Sequence, residues 1–169
     1  MTLHIVWQPT ADAEPHTIGV PVFGVELLLT LRGSVIVDAS WRMQALPAEG
    51  DLPDLALHVR QYLLDPDNTD LQLKLLTQGS EFSKKVWNAL LAIPVGRTLT
   101  YAELAKCLDS APRAVAAGCK RNPYAGIIPC HRVVASQGIG GFMGQIEGEF
   151  VQLKRQLLDY ERRLRDSEA

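Results

Sequence analysis

The feature that most limits the possible fold is a change of hydrophobic period near residue 77. Before it, "DLQLKLL" sets Leu71, Leu73 and Leu75 against Gln72 and Lys74, the alternation of a half-buried strand. After "TQGS", Phe82, Val86, Leu90 and Ile93 recur at helical spacing, and Pro94 with Gly96 end the run. Such a change predicts a small α/β domain over residues 1–76 and a mainly helical domain over 77–169. In the first part, "FGVELLLTLRGSVIVDASW" holds two strand-like runs around Arg32-Gly33, which predicts a hairpin. In "LPDLALHVRQYLLD", Asp54 is placed to cap a helix with Leu55, Val59, Tyr62 and Leu63 on one face.

The second part carries stronger local signals. "TYAELAKCL" opens on Thr100 with Glu103 three residues on, a capping box, and Ala102, Ala105 and Leu108 mark an apolar side. After "DSA", "PRAVAAGCK" predicts another helix, with Ser110 as its cap and Pro112 in its first turn. Two short helices across a tight break form a helix-turn-helix, winged-helix-like candidate. An ordinary αα-corner is the other reading of the same residues. Ala114, Ala116, Ala117 and Gly118 make the second helix thin enough to approach a groove, or to pack on a neighbouring helix.

Charge bears on the choice. The chain has a formal net charge of -2, which gives no global attraction to nucleic acid. Yet no acidic residue occurs between Asp109 and Glu147, while Arg113, Lys120, Arg121 and Arg132 all do. A local basic stretch on the second helix of such a pair predicts a DNA-facing surface. Cys107, Cys119 and Cys130 form no CxxC pair, so no disulfide framework is expected, and a reducing compartment is. His4, His16, His58 and His131 lack zinc-ligand spacing, "MTLHIVWQPT" lacks the marks of a signal peptide, and no apolar run is long enough to span a bilayer.

"AGIIPCHRVVASQGIGG" places Cys130, His131 and Arg132 consecutively behind a proline and between apolar pairs. A buried structural cysteine has no need of such neighbours, whereas a nucleophilic thiol needs a base close by. "PCHRV" resembles the active-site signature of the O6-alkylguanine-DNA alkyltransferases, the methylated-DNA–protein-cysteine methyltransferase family. "FSKKVWNALLAIPVGRTLTYAELA", "RAVAAGCKRNP" and "KRQLLDYE" are similar to further blocks of that family, in its order, across most of residues 82–161. Three departures stand out. The stretch from Tyr101 to Arg113 is about two residues shorter than in the family. The family's Y-x-G-G pocket segment appears as "FMGQ", and about five extra residues lie within "IEGEFVQL".

The resemblance implies a division of roles. Cys130 would accept the alkyl group, His131 would take its proton through a water, and Glu161 would orient and polarise His131. Asn122 would fix the reactive turn, and Tyr101 would give a proton or hydrogen bond to a guanine ring nitrogen. Arg113 would fill the stack after the base is extruded, with Ala114, Ala117, Gly118, Lys120 and Arg121 completing the DNA-facing surface. Val133, Phe142, Met143 and Gly144 would wall the pocket. Arg132 is expected to brace the turn, and Cys107 and Cys119 to be small core residues. The expectation is a single-turnover repair protein, monomeric and cytoplasmic, with double-stranded DNA containing O6-alkylguanine as partner and no cofactor or metal. The alternatives are a non-catalytic lesion binder of the same family, which Cys130 argues against, and a cysteine hydrolase, for which no oxyanion-hole motif is present.

Overall fold

A computed structural model of the chain describes residues 3–44 and 50–167. It divides into two compact units, one of residues 1–78 with 123–127 and one of 79–122 with 128–169. The first is an α/β unit and the second is mainly helical, the fold class expected from the period change.

The first unit holds strands β1 (Leu3–Gln8), β2 (Pro15–Val22), β3 (Val25–Arg32) and β4 (Val35–Arg42), helix α1 (Asp54–Leu64) and strand β5 (Leu71–Leu76). The sheet order is β1-β5-β4-β3-β2. β2, β3 and β4 are antiparallel neighbours, and β5 runs parallel to both β1 and β4. A parallel neighbour needs a crossover, which α1 supplies between β4 and β5. The β3–β4 hairpin turns at Gly33, whose φ of +62° suits glycine. In β5, Leu71, Leu73 and Leu75 are buried and Gln72 and Lys74 exposed, as their alternation requires. Two expectations need correction here. Pro53, not Asp54, occupies the cap position of α1, and Asp54 falls in its first turn. The buried face is Ala56, Val59 and Leu63, while Leu55 and Tyr62 are half-buried.

The second unit contains α2 (Glu81–Leu91), β6 (Leu99–Thr100), α3 (Tyr101–Cys107), α4 (Pro112–Lys120), β7 (Val133–Val134) and α5 (Glu149–Ser167). Ser80 caps α2 by accepting a hydrogen bond from the Ser83 amide, and Val86, Trp87 and Leu90 bury its apolar face. The capping box of Thr100 and Glu103 starts α3, whose buried residues are Leu104 and Ala105; Ala102 is exposed. α4 packs on both α2 and α3.

The break between α3 and α4 explains why Ser110 is not the cap of α4. Asp109 takes a left-handed φ of 51°, and the Ser110 amide reaches back to the Ala105 carbonyl at 2.9 Å. This closes α3 in a Schellman motif, with the Asp109 amide on Lys106. Ala111 is left as the N-cap of α4, without a side-chain bond, and Pro112 follows where its missing N–H costs nothing. No helix among the described residues is long and apolar enough to cross a membrane.

Candidate active site

Cys130 opens a single 3-10 turn, Cys130–Arg132, in which the Arg132 amide donates to the Pro129 carbonyl at 3.0 Å. The flanking Ile128 and Val133 are fully buried, and β7 pairs with β6 directly after the turn. Apolar anchors on both sides thus hold a polar triplet at a fixed place. Asn122, just beyond α4, donates its side-chain amide to the Ile128 carbonyl at 2.9 Å. Burial pushes the Cys130 thiol above its ordinary pKa, while a hydrogen bond from Asn122 and the Lys154 charge pull it back down. Cys130 in its resting state is therefore a thiol whose ionisation needs help.

The two residues that follow the cysteine in this turn join Glu161 in a buried charged cluster. Arg132 grips Glu161 with two bonds, Nε to Oε1 at 2.9 Å and Nη2 to Oε2 at 2.8 Å, and its Nη1 donates to the Ile93 carbonyl at 2.8 Å. His131 Nε2 lies 3.0 Å from Glu161 Oε2. Neither ring nitrogen of His131 makes a hydrogen bond to a protein group. Burial alone would raise the Glu161 carboxyl. The facing His131 ring when protonated, and the Arg132 guanidinium with its hydrogen bonds, outweigh it and hold the group down at about 2. Glu161 is thus a fixed anion beside the imidazole.

Lys154 is the residue of this site that the sequence reading passed over. It is fully buried, and its ammonium donates to the Val133 carbonyl at 2.7 Å and the Gly141 carbonyl at 2.9 Å. It also sits 5.8 Å from the centre of the Tyr101 ring. Burial lowers its pKa to about 8, against the raising influence of Cys130 and Cys119. A signal was available. In "KRQLLDYE", Lys154, Leu157, Leu158 and Glu161 stand at i, i+3, i+4 and i+7, which puts one cation and one anion on a single stripe of α5.

A cavity of about 300 Å³ opens beside Cys130, lined also by Tyr101, Ala116, Cys119, Lys120 and the segment Gly141 to Ile146. Burial pushes the Tyr101 hydroxyl up to about 12, helped by Cys119 and Cys130, so it keeps its proton. Burial likewise pushes Cys119 up to about 12, which makes it an inert thiol in the wall. Cys107, expected in the core, is exposed.

The expected site residues fall into three places. Cys130, Tyr101, Phe142, Met143 and Gly144 line the cavity, while Asn122 holds the Ile128 carbonyl and His131 faces Glu161, none of these three lining it. Val133 does not line it: the residue is buried in β7, and its carbonyl is taken by Lys154. On α4 and its C-cap, Arg113, Ala114, Lys120 and Arg121 are exposed, and Ala117 is half-buried. Gly118 is turned inward. A Cβ there would come 3.0 Å from Val86, and its carbonyl accepts from Trp87 Nε1, so the glycine serves helix packing instead of an outer surface. Arg132 likewise leaves the basic stretch, being buried against Glu161. Among the described residues, no group of three or more His, Cys, Asp or Glu could hold a metal ion.

Comparison with known proteins places this geometry in context. The DNA-binding domain of 6-O-methylguanine DNA methyltransferase, as a family model, matches residues 81–163. A probable methylated-DNA–protein-cysteine methyltransferase of Acanthamoeba polyphaga mimivirus is 43% identical over 57% of this chain and 60% of its own length. The chain therefore spans less than two thirds of that relative. The methylated-DNA–protein-cysteine methyltransferase of Mycobacterium leprae is 36% identical over 66% of this chain and 73% of its own. Among solved structures, the Mycobacterium tuberculosis protein in complex with DNA is 30% identical with a TM-score of 0.65, covering 89% of this chain and 93% of that one. The chain belongs to the O6-methylguanine DNA methyltransferase family.

Proposed function

We propose that this protein is a single-turnover DNA repair protein that moves an alkyl group from guanine O6 in duplex DNA onto Sγ of its own Cys130. The observation that carries the reading is the position of Cys130 in the wall of a cavity, in the same 3-10 turn as His131 and Arg132, which face Glu161. Attack at an sp³ carbon suits a soft thiolate. Sγ forms a bond to the alkyl carbon, the C–O6 bond breaks, and the thioether product is not cleaved by water. His131 takes the thiol proton through a water, and the Glu161 anion stabilises the imidazolium that results. Tyr101, which keeps its proton, hydrogen bonds a ring nitrogen of the departing guanine, so that no bare anion is expelled.

The guanine must leave the stack, at a cost of a few kcal/mol. Arg113, exposed on α4, is the residue for the gap, and Lys120 and Arg121 are placed for phosphates. The partner is double-stranded DNA bearing O6-alkylguanine, bound by a monomer. Three free thiols are consistent with work in the reducing cytoplasm. Incubation with duplex DNA containing O6-methylguanine should add one methyl group to the intact mass, on the peptide holding Cys130, and Cys130→Ser should bind such DNA without reacting. A methyl group on Cys119 or Cys107, or no mass change, would refute the assignment.

A further inference from the structure

One side of the cavity is built by a single tight turn. Phe142 and Gln145 exchange backbone hydrogen bonds of 2.8 and 2.9 Å, which leaves Met143 and Gly144 as a two-residue tip with φ of 52° and 78°. Both central residues of such a turn need positive φ, which is why Asn-Gly is the preferred pair there. An unbranched apolar side chain has no local reason to sit in that position. The backbone alone assigns nothing, since Phe23 and Gly24 at the β2–β3 tip have similar φ of 58° and 76°. What sets Met143 apart is that it lines the cavity that Cys130 lines. Ile146, just past the turn, lines it too, and it is 87% exposed, with no protein neighbour covering it. With Ala116 and Phe142 these side chains supply the apolar part of a wall that Tyr101, Lys120 and Gln145 also line, and no acidic residue takes part in it.

We infer that Met143 and Ile146 are a contact surface for the alkyl group itself, and that the protein favours apolar O6 substituents longer than methyl. The inference rests on the alkyl-transfer reading of Cys130. A methyl group extends no further than the carbon under attack. A butyl group continues past it and buries apolar area on the wall, in proportion to its length. Contact of this kind in an apolar pocket is worth about tenfold or more in rate for each methylene held.

The test is the ratio of single-turnover rates on one duplex sequence carrying either O6-butylguanine or O6-methylguanine, with Met143→Asn and Ile146→Ser beside the wild type. Asparagine suits the left-handed position, so Met143→Asn should keep the turn and melt no lower than wild type. Each variant should lower the butyl-to-methyl ratio by about tenfold. Ile146→Ser lies outside the turn and gives the same reading should the first variant fold poorly. An unchanged ratio overturns the proposal. So does an equal fall for both substrates, which would place these residues against the base or the DNA strand. Failure of the wild type to react with either substrate would instead refute alkyl transfer, and this inference with it.

Discussion

Replacing Glu161 tests the charged cluster directly. Its carboxyl is held at about 2, against an ordinary value of 4.5. A carboxylate depressed on folding contributes stability that is fully present above its unfolded pKa and is lost as pH falls through the folded one. At about 1.4 kcal/mol per pH unit the gap amounts to about 3 kcal/mol. Roughly 2 kcal/mol of this should disappear between about pH 6 and about pH 3. Glu161→Gln removes that dependence and also leaves the buried Arg132 guanidinium without its counter-charge. Such an orphaned charge costs about 3–5 kcal/mol near neutral pH. Adding Arg132→Met removes the orphan, so the double variant should be more stable than Glu161→Gln alone. Urea unfolding of wild type, single and double variants, followed by circular dichroism at both pH values, measures each quantity. A loss of stability on acidification as large in Glu161→Gln as in wild type would refute the assigned role of the Glu161 carboxylate. A double variant less stable than Glu161→Gln alone would refute the orphaned charge at Arg132.

Arg113→Ala should slow transfer from duplex DNA by about tenfold for each 1.4 kcal/mol of lost support for extrusion, and leave reaction with a free O6-alkylguanine base nearly unchanged. Equal slowing of both would place Arg113 in the pocket or the fold. Lys154 carries its charge below about pH 8 and loses it above, and that charge favours ionisation of Cys130. Lys154→Met should therefore slow transfer at about pH 7 and much less at about pH 9, where the wild-type lysine has lost its charge. A constant ratio across that range would mean that the lysine acts only through its bonds to Val133 and Gly141. With Lys120 and Arg121 as phosphate contacts, the logarithm of DNA affinity should fall with log salt at a slope near about -2, and a slope near zero would remove the surface.

Local signals in the sequence translated well where neighbours in the chain are also neighbours in space. The alternation of Leu71, Leu73 and Leu75 and the pairing of Thr100 with Glu103 are of this kind, because each is decided within one strand or one helical turn. Ser110 misled because its amide is used by the preceding helix, a competition that composition does not reveal. Gly118 misled for a related reason: a thin helix face suits a groove and a packed neighbour equally, and only the position of Val86 and Trp87 decides. The Lys154 stripe was visible as spacing, but what accepts its protons is two backbone carbonyls, at Val133 and Gly141, which no residue pattern announces. The cluster of His131, Arg132 and Glu161 spans 29 residues of chain from Arg132 to Glu161, so it became legible only through family resemblance.

The sheet unit is not continuous in the chain: Pro123–Ile127 belongs to it, although residues 79–122 intervene. The returning segment matters to the sheet. The Ala39 amide donates to the Pro123 carbonyl, the Ala125 amide donates to the Ala39 carbonyl, and the fully buried Tyr124 hydroxyl donates to the Leu76 carbonyl while accepting from Gln78. At about 5–20 residues per second of synthesis, the intervening stretch takes several seconds to make. During that time the nascent sheet lacks its last core tyrosine, and it cannot be completed before α3 and α4 have been translated. The same connectivity governs cleavage. One cut after Gln78 releases a sheet without Tyr124, and separating the units whole would require the chain to be opened on both sides of Pro123–Ile127 as well.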